Sequence, residues 1–182
     1  MDDDRFLTIV TPHIPSMVRV ATALVGATEA EDVAQETLTR AWQSWRSLRA
    51  EHAARAWLLR ITINICRNLH RGQSGINTAA FSSLDDDMMV SAIESRQPLE
   101  ADPGNRAATM DLRDAIGALP EDLRLVIALR YYAGMDASEI GHLITIPPAT
   151  IRTRLRRALT LLRARLGDQP LPSREEGANA GH

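Results

Sequence analysis

The chain has 182 residues, of which 45% are hydrophobic and 24% are charged, and its formal net charge is −2. This composition is ordinary for a globular protein with one large domain or two small ones. The single Cys excludes an internal disulfide, and no Cys/His cluster has the spacing of metal ligands. No apolar run reaches membrane-spanning length and the N-terminus is acidic rather than leader-like, so we expect a cytoplasmic protein.

Apolar residues recur at helical spacing, and no alternating segment bounded by turn residues indicates a strand, so we predict an all-α fold. A first helix is predicted to follow Pro15 and to stop at Gly26. Thr28 and Glu31 form a capping-box pattern that opens the second helix. The apolar stripe of the second helix consists of Ala30, Val33, Ala34, Leu38, Ala41, Trp42 and Trp45.

The opposite face of the second helix is polar, with side chains spaced by three and four residues. Its members include Asp32, Gln35, Glu36 and Arg40. Taken alone, this periodicity favours a solvated face with an internal Glu36–Arg40 ion pair over a surface that contacts a partner.

A basic helix is predicted after the loop at residues 46–53, from Ala54 to Arg71. One of its faces is apolar, and the other presents Arg60, Asn64, Arg67 and Arg71, with Asn68 at the edge. No carboxylate lies between His52 and Leu84. Arginine and asparagine on such a face suit contacts to phosphate and to base edges, although a solvated surface has the same pattern.

The composition changes at Gly72 to a polar, acid-rich stretch that is broken by Gly and Pro. We interpret residues 73–108 as a flexible linker, because so long a structureless stretch is unusual inside one domain. The linker divides the chain into two small helical domains, 1–72 and 109–167. Residues 168–182 are predicted to be a disordered tail.

A helix-turn-helix is predicted in the second domain. A short helix at 109–119 and another that starts near Pro120 and is ended by Gly134 open this domain. Asp136 and Glu139 form a capping-box pair for the next helix, and a turn at Pro147 leads into the last one. The last two helices form the helix-turn-helix.

The last helix carries six arginines, and no carboxylate lies between Ile140 and Gly167. In a helix-turn-helix, the N-terminal end of the second helix enters the major groove. The candidates for reading DNA are therefore Thr150, Arg152, Thr153, Arg154 and Arg156. Such a module by itself indicates a DNA-binding protein.

Two segments of the chain resemble the extracytoplasmic-function (group 4) sigma factors of the sigma-70 family. AEDVAQETLTRAWQSW followed by RAWLLRITINICRNLHR resembles region two, and LPEDLRLVIALRYYAGMDASEIGHLITIPPATIRTRLRRALTLLRARL resembles region four. The resemblance covers about residues 5–72 and 109–167. It implies an alternative sigma factor that binds core RNA polymerase and directs transcription initiation at promoters.

The resemblance also implies roles for individual residues. The face of Asp32, Gln35, Glu36 and Arg40 is expected to bind the clamp helices of the largest polymerase subunit. The residues expected to recognise the minus-ten element, together with the loop at 46–56, are Arg60, Asn64, Arg67, Asn68 and Arg71. Region four is expected to read the minus-thirty-five element through Thr150, Arg152, Thr153, Arg154 and Arg156, and to touch the polymerase flap. An anti-sigma factor is expected as a regulatory partner.

The sequence contains no glycine-rich phosphate loop, no nucleophile–base pair and no metal cluster, so we expect no enzyme activity, no cofactor and no small-molecule substrate. The alternative function is a helix-turn-helix transcriptional regulator with an N-terminal sensor or dimerisation domain. Such a domain does not need both the polar face and the basic helix.

The turn of the helix-turn-helix departs from the family pattern. Thr145 stands where the family often has Gly, and Ala149 stands where Gly often precedes the recognition Thr. A β-branched residue is costly at positive φ, so we expect the geometry from Thr145 to Pro148 to differ from the usual turn.

Overall fold

The structure is a computed structural model that describes the backbone of residues 2–48, 50–73 and 106–166. These residues form helices and turns without a strand, which confirms the all-α prediction. The α-helices are α1 (Asp2–Val10), α2 (Ile14–Val25), α3 (Ala27–Ser44), α4 (Ala54–Gln73), α5 (Arg106–Gly117), α6 (Glu121–Ile127), α7 (Ala137–Ile144) and α8 (Pro148–Leu166). Residues 74–105 of the predicted linker (73–108) and the predicted tail (168–182) lie outside the described residues, whereas Gln73 belongs to α4 and residues 106–108 belong to α5.

The N-terminal body consists of α1–α4, and its first part differs from the prediction. A helix, α1, precedes Pro15, and the prolines at 12 and 15 fall in the first turns of the helical segments that follow it. Proline is tolerated there because the first-turn N–H groups have no intrahelical partner. The predicted capping box at Thr28 is wrong, because α3 begins at Ala27 and has no side-chain cap hydrogen bond.

The core of the N-terminal body is built where α2, α3 and α4 pack together. Met17, Val33 and Leu58 are almost completely buried there. Thr37 of α3 and Thr62 of α4 are also fully buried, and their hydroxyl oxygens lie 3.4 Å apart. The Thr62 hydroxyl donates to the carbonyl of Leu58, which satisfies its hydrogen-bonding capacity inside the core.

The C-terminal body consists of α5–α8. A cluster between α5, α6 and α8 includes Leu119, Leu123 and Leu162, each nearly fully buried. After α6 the chain continues as a π-helical turn, Ala128–Tyr132, and reverses at Gly134, whose φ is 67°. This positive φ explains why Gly occupies the position at which the sequence predicted the helix to end.

The capping box that opens α7 is confirmed. Asp136 accepts hydrogen bonds from the backbone N–H groups of Ser138 and Glu139, and Glu139 accepts one from the N–H of Asp136. The box fixes where α7 begins and so sets the first helix of the helix-turn-helix.

Thr145 ends α7 in the left-handed conformation, with φ 57° and ψ 48°. Among the described residues it alone combines a positive φ with a side chain. Thr145 therefore adopts the left-handed conformation despite its β-branched side chain. The expectation that the β-branch would change the geometry is wrong at this position. Strain at Thr145 is tolerated because the N–H groups of Thr145 and Ile146 both donate to the carbonyl of Gly141.

Thr145→Gly is expected to raise the free energy of unfolding by about 0.5–1 kcal/mol. Removing the side chain relieves the strain of the left-handed conformation, and this gain exceeds the cost of the greater conformational entropy that Gly gives the unfolded chain. Urea denaturation followed by circular dichroism measures the change. Thr145→Ala is the control, since it keeps a Cβ at the same φ. Equal stability of the Gly and Ala variants would show that the turn is not strained.

Within the described part of the chain, no helix is long and apolar enough to span a membrane. The same residues contain no group of three or more His, Cys, Asp or Glu side chains that could hold a metal ion.

Candidate functional site

The candidate polymerase-binding face lies on α3, on the side away from the core. Asp32, Gln35 and Glu36 are exposed, and Arg40 is partly exposed beside them. Arg40 donates from Nε to Glu36 Oε1 at 2.7 Å, so the predicted ion pair is present. An exposed pair of this kind contributes little to stability, which leaves both side chains available to a partner.

Aromatic side chains of α1 and of the end of α3 pack together. Trp42 was predicted to lie in the core, but it is 44% exposed. Its ring meets Phe6 edge-on, with 5.1 Å between the ring centroids, and Phe6 also packs against Trp45. Because Phe6 belongs to α1, which the sequence did not predict, Trp42 packs at the rim of the core rather than inside it.

The basic face of α4 is divided between solvent and protein. Asn64 and Asn68 are exposed, as the candidate minus-ten role requires. Arg60 and Arg67 are only partly exposed, since both point toward the C-terminal body. The side chain of Arg71 lies outside the side chains that the structure describes.

Two contacts fix the positions of these arginines. Arg60 Nη2 donates to the carbonyl oxygen of Leu143 in α7 at 3.4 Å. Arg67 Nε lies 3.9 Å from a carboxylate oxygen of Glu121 in α6. The structure therefore brings two of the five candidate residues against the other body instead of into one open DNA-binding surface.

The N-terminal half of α8 forms the candidate upstream reader. Thr150, Arg152, Thr153 and Arg156 are exposed, whereas Ile151 on the opposite side is completely buried. Arg156 Nη2 lies 3.5 Å from the hydroxyl of Thr153. The buried side anchors α8 on α7 and the C-terminal core, and this anchoring turns the other four side chains outward.

Arg154 does not belong to the exposed set. Its Nε lies 3.5 Å from an Asp122 carboxylate oxygen, and its side chain is 29% exposed. It therefore faces α6, although the sequence analysis named it among the candidates for reading DNA. The sequence reasoning omitted Arg157, which is exposed about one turn after Thr153 and lies on the outward face. The helical period of the outward residues could have identified it.

Cys66 is buried in α4, and burial raises the pKa of its thiol to about 12. It borders a narrow cleft between the two bodies. Ile63, Cys66 and Arg67 line the cleft from one side, and Glu121, Arg124 and Leu125 line it from the other. A thiol with so high a pKa has almost no reactive thiolate near neutral pH.

Comparison with known families places both bodies in one family. The model of sigma-70 region 2 matches residues 9–76, and the model of sigma-70 region 4 matches residues 109–162. Region 2 therefore contains the polar face of α3 and the basic face of α4. Region 4 contains the helix-turn-helix.

Named relatives agree with both matches. The ECF RNA polymerase sigma-E factor of Haemophilus influenzae is 28% identical over 174 residues, which cover 93% of this chain and 90% of that protein. The protein of the same name from Escherichia coli K12 is 29% identical over 163 residues, which cover 86% of this chain and 84% of the relative.

Solved structures share the fold. The sigma factor RpoE from Bartonella quintana, in complex with the anti-sigma factor NepR, superposes with a TM-score of 0.65 at 22% identity and covers 91% of this chain and 96% of its own. CnrH in complex with the cytosolic domain of CnrY gives a TM-score of 0.66 at 23% identity, covering 92% and 91%. The chain belongs to the extracytoplasmic-function group of the sigma-70 family, whose members direct transcription initiation by RNA polymerase.

Proposed function

We propose that this protein is an alternative sigma factor whose region 2 binds core RNA polymerase and the minus-ten element, while its region 4 reads the minus-thirty-five element. The observation that carries the proposal is the presence in one chain of the polar α3 face, the basic α4 face and the outward arginines of α8. Nucleotide transfer remains with the polymerase, so the chain itself has no enzymatic role and needs no cofactor.

We assign the polymerase contact to Asp32, Gln35, Glu36 and Arg40. The exposure of Asp32, Gln35 and Glu36, with Arg40 partly exposed beside them, supports the assignment, because the part of the chain that the structure describes leaves this side of α3 open. The carboxylates are suited to basic or hydrogen-bonding groups on the clamp helices of the largest subunit.

We assign the minus-ten contact to α4 through Arg60, Asn64, Arg67, Asn68 and Arg71. The upstream contact is assigned to Thr150, Arg152, Thr153 and Arg156, with Arg157 added as a candidate and Arg154 as a residue that positions α8 against α6. Exposure at the N-terminal end of α8 supports base reading there, since that end enters the major groove in helix-turn-helix proteins.

We also infer an anti-sigma factor as a regulatory partner and the cytoplasm as the site of action. Both inferences come from family membership. The sigma factor RpoE, which shares this fold, was solved in complex with the anti-sigma factor NepR, and CnrH was solved in complex with the cytosolic domain of CnrY.

Replacing Asp32 and Glu36 together by Ala is expected to weaken binding to purified core RNA polymerase about tenfold to a hundredfold, the range for charged side chains that form central contacts in an interface. Competition for core against a labelled sigma factor measures the affinity. The free energy of unfolding should change little, because both side chains are exposed.

The matched control is the Asp111→Ala/Asp114→Ala double variant, which removes the same charge from exposed positions on α5. It is expected to bind core nearly as well as the parent protein. If both double variants lost the same affinity for core RNA polymerase, the effect of the α3 variant would be explained by net charge alone. The assignment of the contact face to α3 would then be wrong.

A further inference from the structure

The first helix, α1, packs beside both ends of the loop at residues 46–53. Phe6 of α1 is only 5% exposed, and its ring lies edge-on to that of Trp45, which directly precedes the loop, with 5.9 Å between the ring centroids. Val10, one turn further along, is 1% exposed, and α1 also contacts α4, the helix that follows the loop. These buried side chains hold α1 where the chain enters and leaves the loop.

Arg5 of α1 connects the two ends of the loop through its guanidinium. It donates from Nη2 at 2.9 Å and from Nε at 3.2 Å, both times to Oε1 of Glu51. Glu51 begins the second short turn of the loop, Glu51–Ala53. The guanidinium carbon of Arg5 also lies over the Trp45 ring, 5.8 Å from its centroid, which is within the range of cation–π attraction. One side chain therefore contacts the residue before the loop and a residue near its far end.

The helices on either side of the loop have anchors that do not involve Arg5. Ala41 near the end of α3 and Ala54 and Leu58 in the first turns of α4 are completely buried. The N–H of Ala54 donates to the carbonyl of Glu51, so the second turn of the loop runs directly into α4. Loss of the Arg5 contacts would therefore leave α3 and α4 in place, and its effect would fall on the loop between them.

The loop itself is held by local backbone hydrogen bonds. Leu48 donates to the carbonyl of Trp45 at 3.1 Å, and Ala53 donates to that of Ala50 at 3.0 Å. No side chain of the loop that the structure describes is buried, and four are exposed, namely Arg46, Ser47, Glu51 and His52. A segment of this kind opens more easily than the packed helices around it, so a modest contact is enough to set its conformation.

The contacts of Arg5 are suited to setting a conformation rather than to stabilising the whole protein. The side chains of Arg5 and Glu51 are 65% and 61% exposed. Exposed ion pairs and exposed cation–π contacts each change an equilibrium by only a few fold, so the free energy of unfolding depends little on them. The same few fold decide the conformation of a loop whose open and closed forms differ little in free energy. Arg5 also neutralises the carboxylate of Glu51, which would otherwise repel DNA phosphates.

We propose that α1 braces the loop at residues 46–53 for recognition of the minus-ten element, and that Arg5 is a positioning residue that holds Trp45 and Glu51 together across the loop. A loop that is already held in one conformation loses less entropy when it binds the correct DNA sequence. Removing the brace therefore weakens binding to the correct sequence most, and discrimination falls. The effect on discrimination rests on the proposed function, whereas the bracing of the loop does not.

Amide hydrogen exchange of the free, full-length protein tests the brace. Arg5→Ala is expected to accelerate exchange about threefold to tenfold in a peptide that covers the loop, because the N–H groups of Leu48 and Ala53 are released more often. Exchange in α5–α8 is expected to stay unchanged. Arg113→Ala is the matched control, since it removes an arginine from an exposed position on α5. Equal exchange of the loop in the parent and both variants would overturn the brace.

Competitive run-off transcription with the holoenzyme tests the effect on discrimination. A genomic promoter fragment that the parent holoenzyme transcribes competes with the same fragment carrying a substituted minus-ten element and giving a longer transcript. Arg5→Ala is expected to lower the ratio of the two transcripts about fivefold, the combined effect of an exposed ion pair and a cation–π contact. Affinity for core polymerase, and the ratio for a substituted upstream element, are expected to stay within about twofold of the parent. A general loss of structure would lower all three.

Exchanging the two charges tests the ion pair while the net charge of the protein stays the same. Arg5→Glu and Glu51→Arg, made singly, each place two like charges together and are expected to lower the minus-ten transcript ratio about tenfold. The double variant Arg5→Glu/Glu51→Arg restores opposite charges, so its ratio is expected to lie within about threefold of the parent. The remaining loss is assigned to the cation–π contact with Trp45. A double variant that loses as much as the two single losses multiplied would overturn the role of the pair.

The possible failures are distinguishable. An unchanged minus-ten transcript ratio in Arg5→Ala, or an equal loss of discrimination at the minus-ten and upstream elements, would overturn the positioning role of Arg5. Absence of any promoter-dependent transcript from the parent holoenzyme would overturn the proposed sigma function, and the effect on discrimination with it. Hydrogen exchange of the free protein would still decide whether α1 braces the loop.

Discussion

Gly141→Ala is expected to lower the free energy of unfolding by about 2 kcal/mol and to abolish selective binding to the upstream promoter element. A Cβ built on Gly141 would lie 2.5 Å from the carbonyl oxygen of Ile146 and 3.4 Å from the ring of Pro148. The closest atom belongs to the backbone of the turn, so it cannot move aside as a flexible side chain would. The turn must open, and α8 must shift relative to α7.

The effect on DNA reading should exceed the effect on stability. The base-reading side chains of α8 are placed by the turn, and a displacement of about one ångström is enough to break bidentate base contacts. Urea unfolding and binding to promoter fragments, measured on the same preparation, separate the two effects.

Gly117→Ala is the matched control, because a Cβ there meets nothing within 4 Å. Gly117 ends α5, where alanine is the better helix former, so the control is expected to be neutral or slightly stabilising. A Gly141→Ala protein as stable and as selective as the Gly117→Ala protein would contradict the close approach of the turn to α7.

Arg152→Ala is expected to reduce discrimination between the cognate upstream element and a mutated one by about tenfold to a hundredfold, which is the range for loss of a base contact in the major groove. The residue is exposed in the first turns of α8. Equilibrium binding to both DNA sequences, with the salt concentration held constant, measures the ratio.

Arg163→Ala controls for the loss of charge. Arg163 is exposed on the same side of α8, about three turns further along, and so lies far from the groove-entering end. Its loss is expected to weaken binding to both DNA sequences equally and to reduce the salt dependence. If Arg152→Ala also weakened binding to both DNA sequences equally, Arg152 would contact phosphate rather than a base.

The helical segments that position the site follow from local chemistry and could be predicted. The stripes of α3 and α8, the capping box at Asp136 and the stop at Gly134 each depend on residues close together in the chain. Such features express helical periodicity and terminal hydrogen bonding, which neighbouring residues determine.

The other features of the site depend on contacts between helices that are far apart in the chain, so they could not be predicted. The exposure of Trp42 depends on Phe6 in α1, and the positions of Arg60, Arg67 and Arg154 depend on α6 and α7. Periodicity tells which face of a helix is polar, but it does not tell which other helix covers that face. The contacts of α4 with α6 and α7 therefore could not be predicted from the sequence of α4 alone.

The arginines of α8 illustrate this difference. Arg152 and Arg154 are two positions apart in an all-basic stretch, yet Arg152 is exposed and Arg154 faces Asp122. A rotation of about 200° between them around the helix axis explains the division. Arg157 lies about one turn beyond Thr153 and is exposed, which adds it to the candidates.

Run-off transcription with purified core RNA polymerase on genomic DNA fragments tests the sigma function most directly. The predicted result is a set of discrete transcripts that require both core and this protein and that disappear when the upstream or minus-ten element is mutated. Failure of the protein to co-elute with core, together with transcripts no different from those of core alone, would contradict the assignment.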